Sequence, residues 1–262
     1  MKKIMLIILV AVISIMGAVA CSSSSTGGTG SSKTFTVGFD QDFPPMGFVG
    51  DDGEFTGFDL ELAAEVAKRL NLELKLQPIA WDAKDKELES KNIDCIWNGF
   101  TINGREDDYT WTEPYLKNNQ VFVVQADSGI KTMDDLAGKS VIVQVDSSAE
   151  KALEALPDLV DSFGEYITAA NYNAALMDLE SGGVDVVAMD EVVAIYQNEK
   201  RGEIFTILEE TLAPEEYGVG FLLGNEELRD KVQKTLEEMA ADGTMAEISK
   251  KWFDDDITTI GK

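Results

Sequence analysis

Val184-Asp185-Val186-Val187-Ala188-Met189, closed by Asp190, is a nearly unbroken apolar run. A strand with one face in water alternates in polarity, whereas a strand covered on both faces does not. The stretch therefore reads as a central strand of a sheet flanked by helices. On its N-terminal side, residues 171–180 read as a helix ended by Gly182 and Gly183. On its C-terminal side, residues 190–198 read as another helix. The same alternation extends along the chain. Strands are expected at 34–39, 72–77, 93–97, 120–126, 140–145 and 217–223. Further helices are expected at 59–70, 82–90, 147–156, 225–241 and 244–253. In the first of these, Leu60, Ala63, Ala64, Ala67 and Leu70 share one side at the helical period. Alternating βα units imply α/β architecture with mostly parallel sheets.

Composition narrows the chemistry. The chain has 48 acidic and 22 basic residues and no His. Such a surface repels nucleic acid and anionic lipid. Without His there is no Ser-His-Asp catalysis and no His-based zinc site. No Gly-rich phosphate loop or paired-Cys metal motif is present, so no cofactor or metal is expected. Cys95 lies in the apolar run 93–97 and reads as a buried structural thiol.

The first 20 residues read as a signal peptide. Lys2 and Lys3 precede a run from Ile4 to Ala20 broken only by Ser14 and Gly17. That run is short for a membrane span and ends in small residues. Ala18-Val19-Ala20-Cys21 resembles the bacterial lipobox, which implies cleavage before Cys21 and a lipid on it. Ser22 to Ser32 contains only Ser, Thr and Gly. A segment that buries nothing cannot offset its ordering entropy. Residues 21–33 are thus expected to be a lipidated Cys followed by a flexible tether of roughly 18 Å reach. Removing the signal also removes Lys2 and Lys3, leaving 48 acidic against 20 basic residues.

Ligands of α/β sheets bind at the carboxyl ends of strands, beside helix N-termini. Four strand ends carry polar groups. Phe39-Asp40-Gln41-Asp42-Phe43-Pro44-Pro45 puts an acid and an aromatic on a loop stiffened by Pro. Asn98 to Arg105 turns from a buried strand to an Arg. Asp146-Ser147-Ser148 opens a helix, and Asp190 follows the apolar strand. An Arg fork and helix N–H groups suit a carboxylate, and an Asp with a hydroxyl suits an ammonium. Phe43 and Trp81 suit an apolar stem. Together they fit a zwitterionic amino acid. Each residue also has a plainer reading. Asp190, Ser147 and Ser148 are natural helix caps, and Phe43 and Trp81 are natural core residues. Of the four Arg, only Arg105 follows a strand-end turn; Arg69 and Arg229 lie in charged helices, and Arg201 in a turn.

Taken in order, these motifs resemble the polar amino-acid-binding proteins of ATP-driven importers, the bacterial extracellular solute-binding family 3. The resemblance covers Phe35 to Phe253. It is carried by Phe39-Asp40-x-x-Phe43-Pro44-Pro45, Gly57-Phe58-Asp59, Asn98-Gly99-Phe100-Thr101-Ile102 and Asp134-x-Leu136-x-Gly138-Lys139. It continues in Ser147-Ser148-Ala149-Glu150, Met189-Asp190-Glu191, Tyr217-Gly218-Val219-Gly220, Asp242-Gly243-Thr244 and Lys251-Trp252-Phe253.

The resemblance implies a type II periplasmic-binding-protein-like fold. Residues 34–114 plus 219–262 would form lobe one and residues 120–214 lobe two. The hinges would lie at 115–119 and 215–218. It implies that Arg105 clamps a carboxylate, with N–H groups from Thr101 and Ser148, and Ser147 beside them. The Gly99 carbonyl, the Thr101 hydroxyl and Asp190 would meet an ammonium. Phe43 and Trp81 would sandwich the side chain, and Asp40 would line its pocket. The loop Asn103-Gly104-Arg105 is one residue shorter than is usual. Gln144 and Asp146 stand where relatives vary with specificity. Asp40, Asp59 and Asp146 leave basic or polar ligands open. The implied partners are an amino acid, the membrane subunits of an ABC importer, and the membrane through Cys21. The expected state is a monomeric, extracytoplasmic, non-enzymatic carrier. The alternatives are a dehydratase of the same fold acting on prephenate-like acids, and a ligand-sensing module.

Overall fold

The computed structural model describes residues 33–262. The predicted signal peptide, Cys21 and all of the tether but Lys33 lie outside the described residues. A five-stranded sheet and a six-stranded sheet organise the chain, and their five-strand paths run in the same order. In the first, Glu73–Pro78, Thr34–Phe39 and Cys95–Ile96 run parallel, and Gly220–Leu222 and Tyr109–Trp111 extend them antiparallel. In the second, Glu165–Ala169, Ser140–Gln144 and Val186–Asp190 run parallel. Leu116–Gln125 then joins antiparallel, followed by Phe205–Ile207. The fourth strand of each sheet is the one that arrives from the other sheet. This gives two α/β lobes joined by two crossovers. A small three-stranded sheet, Asp42–Phe43, Gly47–Val49 and Phe55–Thr56, sits after the first strand.

The crossovers are zipped together. Ala213–Tyr217 pairs antiparallel with the start of Leu116–Gln125, in register from Tyr217↔Leu116 to Ala213↔Gln120. Tyr115 N–H donates to the Tyr217 carbonyl at 2.9 Å, and Thr112 N–H to the Val219 carbonyl at 3.2 Å. The C-terminal tail adds Thr259 N–H to the Tyr115 carbonyl at 2.9 Å. Every backbone group at the crossing that finds such a partner avoids the cost of unpaired burial.

Val186–Asp190 is buried along its whole length, as its apolar run requires. Most elements fall within a few residues of expectation, and the departures have physical causes. In helix Phe58–Arg69 the buried stripe is built on Phe58, Leu62, Ala63, Val66 and Ala67, and Ala64 is exposed. The i, i+4 rows through Phe58, Leu62 and Val66 set the face, which rotates Ala64 outward. The charged segment 82–90 begins as a 3-10 turn, Trp81–Ala83, before helix Lys84–Glu89. The expected strand 217–223 is two strands, Ala213–Tyr217 and Gly220–Leu222, because the chain changes sheets at Gly218. Helix Pro157–Ser162 and strands Tyr109–Trp111, Glu165–Ala169 and Phe205–Ile207 are additional. Cys95 is fully buried, and desolvation pushes its thiol well above the ordinary range.

Candidate functional site

The parallel strands of both sheets end at one cavity. Asp40 and Phe43 follow Thr34–Phe39, Trp81 follows Glu73–Pro78, and Gly99, Thr101 and Arg105 follow Cys95–Ile96. From the second sheet, Ser147 and Ser148 follow Ser140–Gln144, and Asp190 ends Val186–Asp190. All nine residues singled out from the sequence line this cavity, joined by Asn98, Gln144 and Tyr172. Gly99 has φ +57°, and an added Cβ would come within 2.9 Å of Phe43 Cε1 and 3.1 Å of Tyr217 Cε2. Only glycine makes this turn without strain or collision.

Arg105 is 3% exposed and forms no ion pair among the described residues. One terminal nitrogen donates to the Thr101 carbonyl and the other to the Asp146 carbonyl, both at 3.3 Å. Its guanidinium carbon lies 5.4 Å from the centroid of Phe100. With its short loop, Arg105 still lines the cavity. Gly104 at φ +76° allows a turn in which Arg105 N–H donates to the Ile102 carbonyl at 2.8 Å. Trp111 Nε1–H then holds the Arg105 carbonyl at 2.9 Å. A buried cation served only by neutral carbonyls is a site for an anion.

Asp190 is also 3% exposed. It does not cap helix Glu191–Lys200 with its side chain; Asn118 Oδ1 accepts from Val192 N–H instead, at 3.2 Å. The Asp190 carboxyl accepts from the Tyr217 hydroxyl at 2.5 Å and from Asn118 Nδ2 at 3.3 Å. Behind it stands Glu215, 4% exposed, which the sequence had placed only in a hinge. Neither acid forms an ion pair among the described residues. Desolvation first, and the Glu215 charge second, push the Asp190 carboxyl well above the usual range.

Ser147 is a true helix cap, accepting from Glu150 N–H at 3.1 Å. Ser148 Oγ meets Thr101 Oγ1 at 3.1 Å and Gln120 Nε2 at 2.9 Å. Elsewhere in the cavity, Asp40 accepts from Gln144 Nε2 at 2.8 Å, and burial raises its carboxyl. Both polar atoms of the Asn98 side chain and the Tyr172 hydroxyl lack a hydrogen-bond partner among the described residues. Buried polar atoms of this kind are costly unless something meets them. Phe43 packs on Tyr172 with centroids 5.9 Å apart, and Trp81 packs edge-on against Phe100 at 5.5 Å. These aromatics are core and cavity wall at once.

Asp59 and Asp146 do not line the cavity. Asp59 faces inward, holding Gly99 N–H at 2.6 Å and the Tyr115 hydroxyl at 2.9 Å. Asp146 pairs with Lys84, which is 1% exposed and lies over the Trp81 ring at 5.2 Å. The Lys84–Asp146 pair joins one lobe to the other. Among the described residues no cluster of three or more Cys, Asp or Glu is placed to hold a metal ion, and no helix is long and apolar enough to cross a membrane.

Two lobes of one topology, joined by paired crossovers around a polar cavity, define a bilobal solute-binding protein. The chain belongs to the bacterial extracellular solute-binding proteins, family 3, whose model matches residues 35–255. It is 35% identical over 228 residues to the L-cystine-binding protein TcyJ of Escherichia coli (strain K12), covering 86% of this chain and 84% of that protein. It is 29% identical to the arginine-binding extracellular protein ArtP of Bacillus subtilis (strain 168), over 97% of this chain and 98% of that one. A substrate-binding protein of an ABC uptake transporter from Streptococcus pneumoniae, solved with bound histidine, superposes with a TM-score of 0.83 at 35% identity, covering 86% of this chain and 94% of the other. An ancestral arginine-binding protein bound to arginine gives 0.78 at 36% identity, covering 84% and 98%. This chain is accordingly an extracytoplasmic solute-binding protein.

Proposed function

We propose that this chain captures one α-amino acid with a polar or cationic side chain between its lobes and delivers it to an ABC importer. The observation that carries the reading is the pairing of a buried, acid-free Arg105 with a buried, base-free Asp190 in one cavity. A zwitterion answers both charges at once. Arg105 takes the carboxylate, with N–H groups of Thr101 and Ser148 beside it. Asp190, the Gly99 carbonyl and the Thr101 hydroxyl take the ammonium. The side chain lies between Phe43 and Trp81 and ends at Asp40, Asn98, Gln144 and Tyr172. Relatives that bind cystine, arginine and histidine fit this polar end.

The lobes would comprise 34–114 plus 219–262 and 120–214, hinged at 115–119 and 215–218. The chain works as a non-enzymatic monomer, tethered through a lipid on Cys21. A dehydratase handling two carboxylates needs a second cation in the cavity lining, where Arg105 stands alone. A thermal-shift screen of residues 33–262, refolded free of ligand, against the standard amino acids and L-cystine tests the reading. Ligand at a thousand times its Kd adds about 4 kcal/mol to stability. One or a few hits are expected; no hit overturns the proposal. Mass spectrometry of the mature N-terminus checks the anchor, and an unlipidated Cys21 removes it.

A further inference from the structure

The acid end of the cavity holds one carboxylate more than an ammonium group needs. Glu215 sits on the crossover strand Ala213–Tyr217, directly opposite Asn118. Its Oε1 accepts from Asn118 Nδ2 at 2.6 Å and Gln120 Nε2 at 2.8 Å, and its Oε2 from Thr101 Oγ1 at 2.8 Å. Three donors suit an ionised carboxylate. Asp190 draws on the same Asn118 nitrogen, at 3.3 Å, and otherwise has the Tyr217 hydroxyl. Two buried acids sharing one amide nitrogen cannot both stay ionised without a cation.

The groups around the pair supply no such cation. Tyr217 and Tyr172 face Asp190 as neutral phenols, each held well above the ordinary range by burial first. Tyr115 lies beside Tyr217, with Asp59 hydrogen-bonded to it. Glu150 holds Asp146 N–H, and Glu191 is bound by Asn119 Nδ2 at 2.7 Å. Arg105 reaches the Thr101 carbonyl but forms no ion pair with either acid.

We propose that Glu215 is a positioning residue of the ammonium site, and that capture of an amino acid expels one proton from the Asp190–Glu215 pair. This rests on the reading that Asp190 meets the ligand's ammonium. Before binding, the pair carries one proton, resting on the less well donated Asp190, and a net charge of minus one. The ammonium replaces that proton at Asp190, which leaves for the buffer. Two carboxylates and one ammonium again sum to minus one, so the buried charge does not change. The exchange selects for cations at this position. An α-hydroxy acid brings no charge to displace the proton and leaves the pair as it was. Burial of Asp190 beside the Glu215 charge, which raises its carboxyl well above the usual range, agrees with the assignment.

Titration calorimetry of the mature protein tests it at pH 6.5, in buffers of different ionisation enthalpy. The probe is L-arginine, whose groups stay charged at that pH. If arginine gives no thermal shift, the amino acid with the largest shift replaces it. The slope of heat against buffer enthalpy counts protons. Close to one proton per ligand is expected from the native chain. Glu215→Gln keeps Asn118 and Gln120 as donors to its oxygen and gives Thr101 an N–H. Its count is expected to fall clearly below that of the native chain, because the Glu215 charge that helps hold the proton on Asp190 is gone. The native affinity is expected to rise by up to about tenfold per pH unit across the window, and that of the variant to rise less steeply. Binding with no proton released by the native chain overturns the proposal and leaves the amino-acid reading intact, even if the variant fails to fold. A count kept in Glu215→Gln but lost in Asp59→Asn also overturns it. No heat from any amino acid overturns the reading beneath it.

Discussion

Asp59 and Asp190 are the same residue type, both buried, both at the start of a helix, and both with carboxyls raised by desolvation. They differ in what stands on the open side. Asp59 is sealed: one oxygen holds Gly99 N–H and the Tyr115 hydroxyl, and the other has no partner among the described residues. Asp190 opens on the cavity and has a second acid behind it. A raised carboxyl therefore records the cost of burial, and burial alone does not mark a binding residue. The neighbour and the opening do. Asp59 fixes the Gly99 turn that the ligand would touch, and Asp190 would touch the ligand.

The contrast can be broken by four substitutions, taken in falling order of effect on affinity. Asp190→Ala leaves a buried ammonium unpaired, at about 3–5 kcal/mol, or at least two decades of Kd by calorimetry. Unliganded stability is expected to hold or rise, since one of two crowded acids is gone. Asp40→Asn is expected to weaken cationic amino acids about tenfold relative to neutral ones, in competition binding, as one charge-assisted hydrogen bond is lost. Lys84→Met removes the ion pair that joins the lobes beside their other polar contacts, leaving Asp146 partly solvated. A loss of roughly fivefold in Kd is expected, with a larger mean radius of gyration in solution scattering without ligand.

Asp59→Asn should change affinity least, by less than about threefold, and its effect appears in stability. The folded carboxyl titrates at about 7, above its unfolded value of about 3.9. The folded state therefore binds more protons between those values. Asp59's contribution is complete below about pH 4 and is lost as pH rises through about 7, on the order of 4 kcal/mol. Urea unfolding at pH 5 and pH 8 should show this fall in the native chain and a smaller one in Asp59→Asn. Equal falls would mean that Asp59 is not the sealed acid described here.

Much of this was legible in the chain. An apolar run such as 184–189, between two helical stretches, reads as a covered strand, and the polar residue after such a strand lies at the end of the sheet. That logic found Asp40, Arg105, Ser148 and Asp190, and the family resemblance added Gly99 and Thr101. It did not find Glu215, because an acid in a crossover reads as solvated until the pairing of Ala213–Tyr217 with Leu116–Gln125 is known. Lys84 hid in a run of charges, where only the fold shows that Trp81, Lys84 and Leu88 face inward. Asn98 and Tyr172 needed both lobes together, since their side chains are defined by what lies across the cavity. Asp59, equally acidic and likewise at the start of a helix, turned out to face the other way.

Polar contacts tie lobe to lobe through this chain's own side chains, among them Lys84 to Asp146, Gln144 to Asp40, Asn171 to Asp42 and Thr101 to Ser148. A receptor built this way carries part of the work of closing in its sequence. Every 1.4 kcal/mol moved from ligand to latch raises the closed population about tenfold, and raises apparent affinity with it when only that form binds tightly. The same shift lets more empty molecules wear the shape of full ones. A transporter that waits for closure would then meet more false arrivals, and the charge on Lys84 would help set the balance between holding a scarce nutrient and reporting it faithfully.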